Sequence, residues 1–526
     1  MTYDYVIIGA GSAGCVLANR LSADPKRRVL LLEAGPRDWH PFIHMPAGIA
    51  KLVGKKGINW DYYTEPQARL DGRRLWWPRG RVLGGSSSIN AMCYIRGVPG
   101  DYDDWARQSG DPRWSWPQVL PYFKRAEGNT RGASALHAAG GPLGVQDLIY
   151  TNPLSKAFVD AAVAAGFPAN DDFNGERQEG FGLYQVTQRN GARCSAATAY
   201  LAGVRGRPNL HVVTGALAQR VVIDAGRAVG VDYRQRGTTI RVEAAQVLLC
   251  GGAINSPQLL MLSGIGRADH LRERGIDVAV DSPGVGANLQ DHLDICTLQR
   301  STRPVTYDQL SDLAVAWNYF TRRAGPGTSN VAESGGFVRT RLATDARCDM
   351  QFHFVPALLD DHGRNRLPGY GYTVHACALR PRSRGAILLK SANPADKALI
   401  QPNYLGDAGG YDLAMLVEGV ALSRQILAAA PLDGYRGTEL LPGDDVRSEA
   451  DVVAFIRRKA ETIYHPVGTC RMGADVGAVV DSELRVRGVD GLRVVDASVM
   501  PNLPGGNTNA PTIMIAERAA DLILSA

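Results

Sequence analysis

Residues 3–14 read Tyr-Asp-Tyr-Val-Ile-Ile-Gly-Ala-Gly-Ser-Ala-Gly. The pattern Gly9-x-Gly11-x-x-Gly14 follows an apolar run and precedes Cys15 to Leu21, where apolar and small residues recur at helical spacing. This strand–turn–helix setting is what a dinucleotide-binding turn requires. Gly9 allows the turn, Gly11 lets the backbone approach a pyrophosphate, and Gly14 lets helix and strand pack closely. The helix start, at Ser12, then offers N–H groups and a positive dipole end to phosphates. Glu33 ends the next apolar run, Arg28 to Glu33. A carboxylate there accepts hydrogen bonds from ribose hydroxyls and repels a 2′-phosphate, which favours NAD or FAD over NADP.

A second constellation is Gly80-Arg-Val-Leu-Gly-Gly-Ser-Ser-Ser-Ile-Asn90. Gly84-Gly85 followed by three serines makes a tight turn with backbone and hydroxyl donors, suited to a phosphate or a flavin edge. On composition alone it reads as an ordinary Gly/Ser loop. The eight cysteines are scattered, with no C-x-x-C pair and no Cys/His ligand spacing. That disfavours a zinc site and a disulfide framework, and leaves reduced thiols filling an interior. A net charge of +6 on 526 residues, without a long Lys/Arg run, argues against nucleic-acid binding and leaves a weak preference for anionic surfaces. No apolar stretch reaches the ~18–20 residues of a membrane span. The chain opens directly on a strand, so no signal peptide is expected, which points to the cytoplasm.

These side chains need elements to hold them. Residues 3–9 and 28–33 read as buried parallel strands, with the helix between them completing a βαβ unit. Residues 36 to about 145 are rich in Gly, Pro and Trp and read as irregular. Strand character returns over 209–250, followed by a helix at about 254–262. Residues 305–460 mix helices (411–429 and 448–459) with short strands such as Gln351-Phe-His-Phe and Gly385-Ala-Ile-Leu-Leu. The chain ends on a strand, Leu492 to Asp496, and a helix at about 510–524. No repeat and no clean linker divides the blocks, which predicts a discontinuous cofactor domain interrupted by a second domain.

Several long motifs then carry a resemblance. Gly80 to Asn90 is similar to the first signature of the glucose–methanol–choline oxidoreductase family, and Gly252-Ala-Ile-Asn-Ser-Pro-Gln-Leu-Leu-Met-Leu-Ser-Gly-Ile-Gly266 to the second. Tyr464-His465-Pro-Val-Gly-Thr-Cys-Arg-Met-Gly473 resembles the family's active-site segment. Asp496-Ala-Ser-Val-Met-Pro501 with Gly506-Asn-Thr-Asn509-Ala-Pro511-Thr resembles its last flavin-binding segment. The resemblance runs the length of the chain. It implies an α/β fold with a discontinuous Rossmann-like FAD-binding domain and an α+β substrate-binding domain. The expected boundaries are 1–150, 201–305 and 463–526 for the FAD domain, and 151–200 and 306–462 for the substrate domain.

The resemblance also implies site residues. Beyond the glycines, Ser12 and Glu33, FAD contacts fall on Trp60, Arg81, Gly84, Ser88, Asn90, Ala91, Val221, Asp496, Ala497 and Thr508. His465 matches the family's catalytic base and Asn509 its partner, which holds the alcohol oxygen while hydride passes to flavin N5. Histidine suits the base role, with an unperturbed pKa of about 6.5. Pro511 lies early in the last helix, whose N-terminus would face the flavin and stabilise its reduced anion. Where some members attach FAD through a histidine, this chain has Ile89, so FAD is expected to be non-covalent.

Further stretches, among them Asn152-Pro-Leu-Ser-Lys-Ala-Phe158 and Ser329-Asn-Val-Ala-Glu-Ser-Gly-Gly-Phe337, resemble the quinone-linked alcohol dehydrogenases of bacterial alkane degradation. That branch implies medium-chain primary alcohols as substrates and a quinone-type acceptor. It also implies peripheral association with the cytoplasmic face of the inner membrane. Choline dehydrogenases share much of the pattern. Glu333 is a candidate carboxylate for a substrate's cationic end, or a structural carboxylate; Tyr464 is a second candidate substrate contact. A choline dehydrogenase, an oxygen-using alcohol oxidase and, more remotely, an FAD-containing hydroxynitrile lyase stay open. No metal is expected.

Overall fold

The computed structural model describes residues 2–52, 54–365 and 367–525. Its first layer is a seven-stranded sheet built around β1 (Thr2–Ile8), β2 (Val29–Glu33) and β3 (Thr238–Leu249). Val6, Ile7, Leu31 and Leu248 are fully buried, as expected of parallel strands covered on both faces. β1 pairs in parallel with β2 on one side and β3 on the other, and Leu210–Thr214 extends the sheet beyond β2. The antiparallel strands Arg227–Gln235 and Ala216–Asp224 continue it past β3, and Leu492–Val494 pairs with the end of β3. Helix α1 (Ser12–Leu21) follows β1 and packs against the last helix of the chain.

The second sheet is antiparallel. Its order is Arg436–Leu441, β4 (Leu293–Ser301), β6 (Gly371–Ala378), β5 (Met350–Val355), Ser334–Val338 and Gly180–Leu183, with Glu461–Thr462 also paired to β4. The expected border at 305 therefore falls earlier: β4 bonds to the second sheet along its length. Register fixes the faces, because side chains alternate with period two. Cys296 lies opposite His375, Asp294 opposite Cys377, and His353 opposite His375. One face thus collects Asp294, Cys296, His375, Gln351 and His353, with His292 just ahead of β4. The other face carries Ile295, Phe352, Phe354, Val374 and Ala376, all buried, and packs on Tyr411–Leu427 and Pro153–Ala164. Phe158 stacks on Phe354 at 4.5 Å between ring centroids.

The stretch that reads as irregular contains two helices longer than a single turn, Pro99–Ser109 and Trp116–Ala126. Their prolines sit in the first turn, where a missing N–H costs nothing, as well as at Pro121 inside the second. Trp105 and Trp114 are fully buried there and fill core, not an open loop. Helices α2 (Asp312–Arg322) and α3 (Asn509–Leu524) complete the elements that matter to the site.

Candidate active site

A single cavity of about 1190 Å³ runs between the two sheets. It exceeds the ~300–1,000 Å³ of ordinary small-molecule pockets. At one end it is walled by the turn after β1, the end of β2 and the start of α1, at Gly9, Gly11, Ser12 and Glu33. Gly9 has φ +100°, and a Cβ there would sit 2.5 Å from the Cys250 carbonyl oxygen; a Cβ on Gly14 would sit 1.9 Å from Gly9 O. Only glycine closes this turn against the helix. Glu33 Oε2 accepts from Ala10 N at 2.9 Å and Oε1 from Gly35 N at 2.8 Å. These bonds aim the carboxylate along the wall and leave further lone pairs toward the cavity; burial pushes its pKa up to about 7.

Neither α1 nor α3 has a side-chain cap at its N-terminus, and both first turns open on the cavity. Two uncapped helix starts, a glycine cradle and a carboxylate at the ribose position fit a dinucleotide with an anionic pyrophosphate. Trp60, Asn90, Ala91, Asp496, Ala497 and Thr508 line the same cavity. Asp496 is fixed by Gly252 N, Ser256 Oγ and Ser498 N at 2.8, 2.6 and 2.8 Å.

Five expected cofactor contacts stand behind the wall. Gly14 serves packing alone. Arg81 lies 5.2 Å over the Trp60 ring and supports it. Gly84 has φ +87° and donates its N–H to Ala10 O at 2.7 Å, tying this loop to the glycine turn. Ser88 donates to Leu83 O at 2.7 Å. Val221 donates its N–H to Ser263 Oγ at 2.8 Å, and Ala216, Leu217 and Ala218 of the same strand face the cavity instead.

At the other end stands His465, with Tyr464 beside it. His292 Nε2 donates to Leu379 O at 3.1 Å, so its Nδ1 carries the lone pair. That lone pair accepts from His465 Nδ1–H at 3.0 Å. His465 Nε2 is thereby left as an acceptor on the cavity side. Burial, then the neighbouring His292, His353 and Arg79, holds the His465 pKa well below the ordinary histidine value. The imidazole is neutral at pH 7, as a proton acceptor must be.

The amide beside it is not the expected one. Asn507 Nδ2 lies 3.2 Å from His465 Nε2, and its Oδ1 accepts from Gln351 Nε2 at 3.1 Å, which fixes the amide's orientation. Asn509 Oδ1 instead accepts from Ser12 Oγ at 2.7 Å, joining the starts of α3 and α1. Asn509 is the first residue of α3 and Asn507 lies two residues before it; both line the cavity, and their amides bond to different partners. Gln351 Nε2 also donates to His353 Nε2 at 3.2 Å, and the remaining ring nitrogen of His353, Nδ1, is buried without a partner.

Glu333 is corrected as well. It is fully buried, does not line the cavity, and its carboxylate accepts from Asn152 N, Ser155 Oγ, Ser329 Oγ and the Tyr307 hydroxyl. It knits three segments together and has no capacity left for a substrate. Tyr464 does line the cavity, with its hydroxyl bonded to His362 Nδ1.

A Rossmann-type dinucleotide cradle facing a neutral, oriented histidine defines an oxidoreductase that pairs a bound cofactor with a proton acceptor. The chain belongs to the GMC oxidoreductase family: residues 3–294 match the family's N-terminal region and residues 381–516 its C-terminal region. Members of this family are FAD enzymes acting on CH–OH groups, and FAD is the cofactor of this chain. It is 52% identical to an alcohol dehydrogenase [acceptor] of Pseudomonas putida, over 99% of this chain and 96% of that one. It is 48% identical to the mitochondrial choline dehydrogenase of Homo sapiens, over 99% and 89%. Among solved structures it resembles pyridoxine 4-oxidase from Mesorbium loti, with a TM-score of 0.92, 36% identity and coverage of 100% and 99%.

Ile89 lines the cavity with an apolar side chain that cannot form a bond to the flavin. Acid precipitation of the yellow holoprotein is therefore expected to leave free FAD in the supernatant; flavin retained on the precipitated chain would refute this.

Proposed function

We propose that the protein oxidises medium-chain primary aliphatic alcohols to aldehydes and delivers the two electrons to a quinone-type acceptor. The observation that carries the choice against choline is Arg364. Its guanidinium lies 4.8 Å over the ring of Trp76 in the cavity wall, so the chain's own cation occupies an aromatic face that a quaternary ammonium would use. The carboxylates at this end are also engaged: Asp294 with His375 at 2.6 Å and Glu461 with His362 at 3.2 Å. Val355, Ala357, Leu358, Leu359 and Ile463 supply an apolar wall for an alkyl chain.

The chemistry follows from the oriented imidazole. The alcohol oxygen sits between His465 Nε2 and Asn507 Nδ2, replacing their direct contact. His465 takes the hydroxyl proton as the C–H bond breaks, and Asn507 donates to the oxygen as negative charge builds on it. Bound FAD supplies the hydride acceptor. A substrate panel tests the reading: kcat/KM for 1-octanol is expected to exceed that for choline, and the reverse order would make choline dehydrogenase the better assignment.

The acceptor and the membrane enter through α2. Leu313, Trp317 and Phe320 form one outward stripe at helical spacing, 84%, 69% and 50% exposed, with exposed Leu310 just ahead of the helix. Leu310, Val315 and Ala316 also line the cavity, so the stripe lies on its rim. Lys51, paired to Asp312, sits beside the helix start, Lys55 and Lys56 follow it in the chain, and Arg322 and Arg323 end the helix; all are exposed. An apolar stripe with Trp, flanked by cations, suits the surface of an anionic bilayer, where lipophilic alcohols and quinones concentrate. Among the described residues no helix is long and apolar enough to cross a membrane. Sedimentation with phosphatidylglycerol-containing vesicles is expected to capture the holoenzyme. Leu313→Glu/Trp317→Glu is expected to lose that capture with its flavin spectrum intact; equal capture of the variant would exclude this surface.

A further inference from the structure

Beyond the proton-accepting end, the same sheet face gathers three different donor types. Asp294 and Cys296 project two residues apart from β4, and His375 projects from β6 directly opposite Cys296. Asp294 Oδ2 lies 2.6 Å from His375 Nδ1 and 3.7 Å from Cys296 Sγ, and Sγ lies 3.2 Å from His375 Nδ1. A tetrahedral zinc ion with bonds of ~2.0–2.3 Å separates its ligand atoms by roughly 3.3–3.5 Å. The sulfur already stands near those separations, and the Asp–His pair needs to open by less than about 1 Å.

Two further observations point to a cation. Asp294 is 2% exposed, yet its Oδ1 has no hydrogen-bond partner, a buried acceptor left without a donor. The charges that act most strongly on the Cys296 thiol are the carboxylates Asp294, Glu461 and Asp360. Asp294, Cys296 and His375 thus meet within polar-contact range of one another. All three residues line the cavity, which leaves the fourth coordination position open to it. Cys296 is also the one cysteine of the eight that is partly exposed rather than buried. The sequence conceals the set, because an Asp-x-Cys on one strand meets a histidine 79 residues later on the next.

We propose that Asp294, Cys296 and His375 form a binding site for a thiophilic divalent cation of the zinc type. Binding displaces the Cys296 thiol proton and the proton that His375 Nδ1 shares with Asp294, and both go to solvent. Asp294 and Cys296 follow His292 by two and four residues, roughly 7 and 13 Å along the chain at ~3.3 Å per residue, and His375 lies opposite His353. A bound ion there narrows the space where the far end of a long alcohol would run. This last consequence rests on the alkyl-chain reading above; the site itself does not.

Equilibrium dialysis of the FAD-loaded enzyme against micromolar Zn²⁺, followed by metal analysis, tests the site. Wild type is expected to retain one ion per chain, and X-ray absorption to show one sulfur at ~2.3 Å with nitrogen and oxygen neighbours. Cys296→Ser and His375→Gln, checked for bound flavin and unchanged melting, are each expected to weaken retention by ~10–100-fold, as loss of even a ligand's outer-shell support does. No retention by wild type, equal retention by both variants, or a spectrum without sulfur would overturn the site. Zn²⁺ is further expected to raise KM for 1-octanol several-fold while KM for ethanol stays constant. Retention of zinc with KM for 1-octanol unmoved would overturn the competition.

Discussion

His465→Ala is expected to slow anaerobic reduction of the bound flavin by 1-octanol by ~10²–10⁴-fold, the usual worth of a positioned general base. The expectation follows from the hydrogen-bond chain that runs from His465 Nδ1–H through His292 to the accepting Leu379 O, which leaves Nε2 as the free lone pair of the His465 ring on the cavity side. FAD binding should persist, because the phosphate-facing turns stand at the opposite end of the cavity. The pH dependence has a defined sign. Only the neutral ring accepts a proton, and the His465 pKa is depressed by burial and by its neighbours. The rate should therefore be level from about pH 7 to about 9 and fall only as pH drops below the ordinary histidine value of ~6.5. A variant that reduces at near-wild-type rate, or a wild-type rate still climbing above neutrality, contradicts the assignment.

The second large effect belongs to Asn507. Its Nδ2 is held at 3.2 Å from His465 Nε2 by the Gln351 bond to its Oδ1, ready to meet the oxygen that lies between them. Loss of one preorganised donor at a developing oxyanion costs ~10²–10³-fold in rate. Asn507→Ala should show that loss in flavin reduction with little change in FAD affinity. Asn509→Ala should do the opposite. It removes the 2.7 Å bond that joins the starts of the two helices facing the cofactor, so FAD should dissociate more readily while reduction of the loaded enzyme slows by no more than a few-fold. Titration of both apo-variants with FAD, alongside single-turnover reduction, separates the two amides; the reverse pattern would restore Asn509 as the partner.

The exchange of these asparagines shows where the sequence is informative. The glycine turn and Glu33 are legible because their chemistry is local: turn, helix start and strand end follow one another along the chain. His465 is legible through its long motif. Asn507 and Asn509 are only two residues apart, and which amide faces the imidazole depends on where α3 begins. His292, His353 and His375 carry no local signal at all. Their roles come from strand register, which brings residues from three separate strands onto one face. Glu333 misleads for the same reason: the donors that saturate it come from residues 152–155, 307 and 329. The two helices between 99 and 126 hide behind their prolines, which read as breakers until their first-turn positions are known.

The central claim is that this chain removes a proton and a hydride from an alcohol, with His465 as the acceptor of the proton. Anaerobic mixing of the FAD-loaded wild-type enzyme with 1-octanol in a stopped-flow spectrometer tests it most directly. Full bleaching of the oxidised flavin, with one aldehyde formed per flavin, is the predicted result. A flavin that stays oxidised with 1-octanol, ethanol, choline and a benzylic alcohol alike would contradict it.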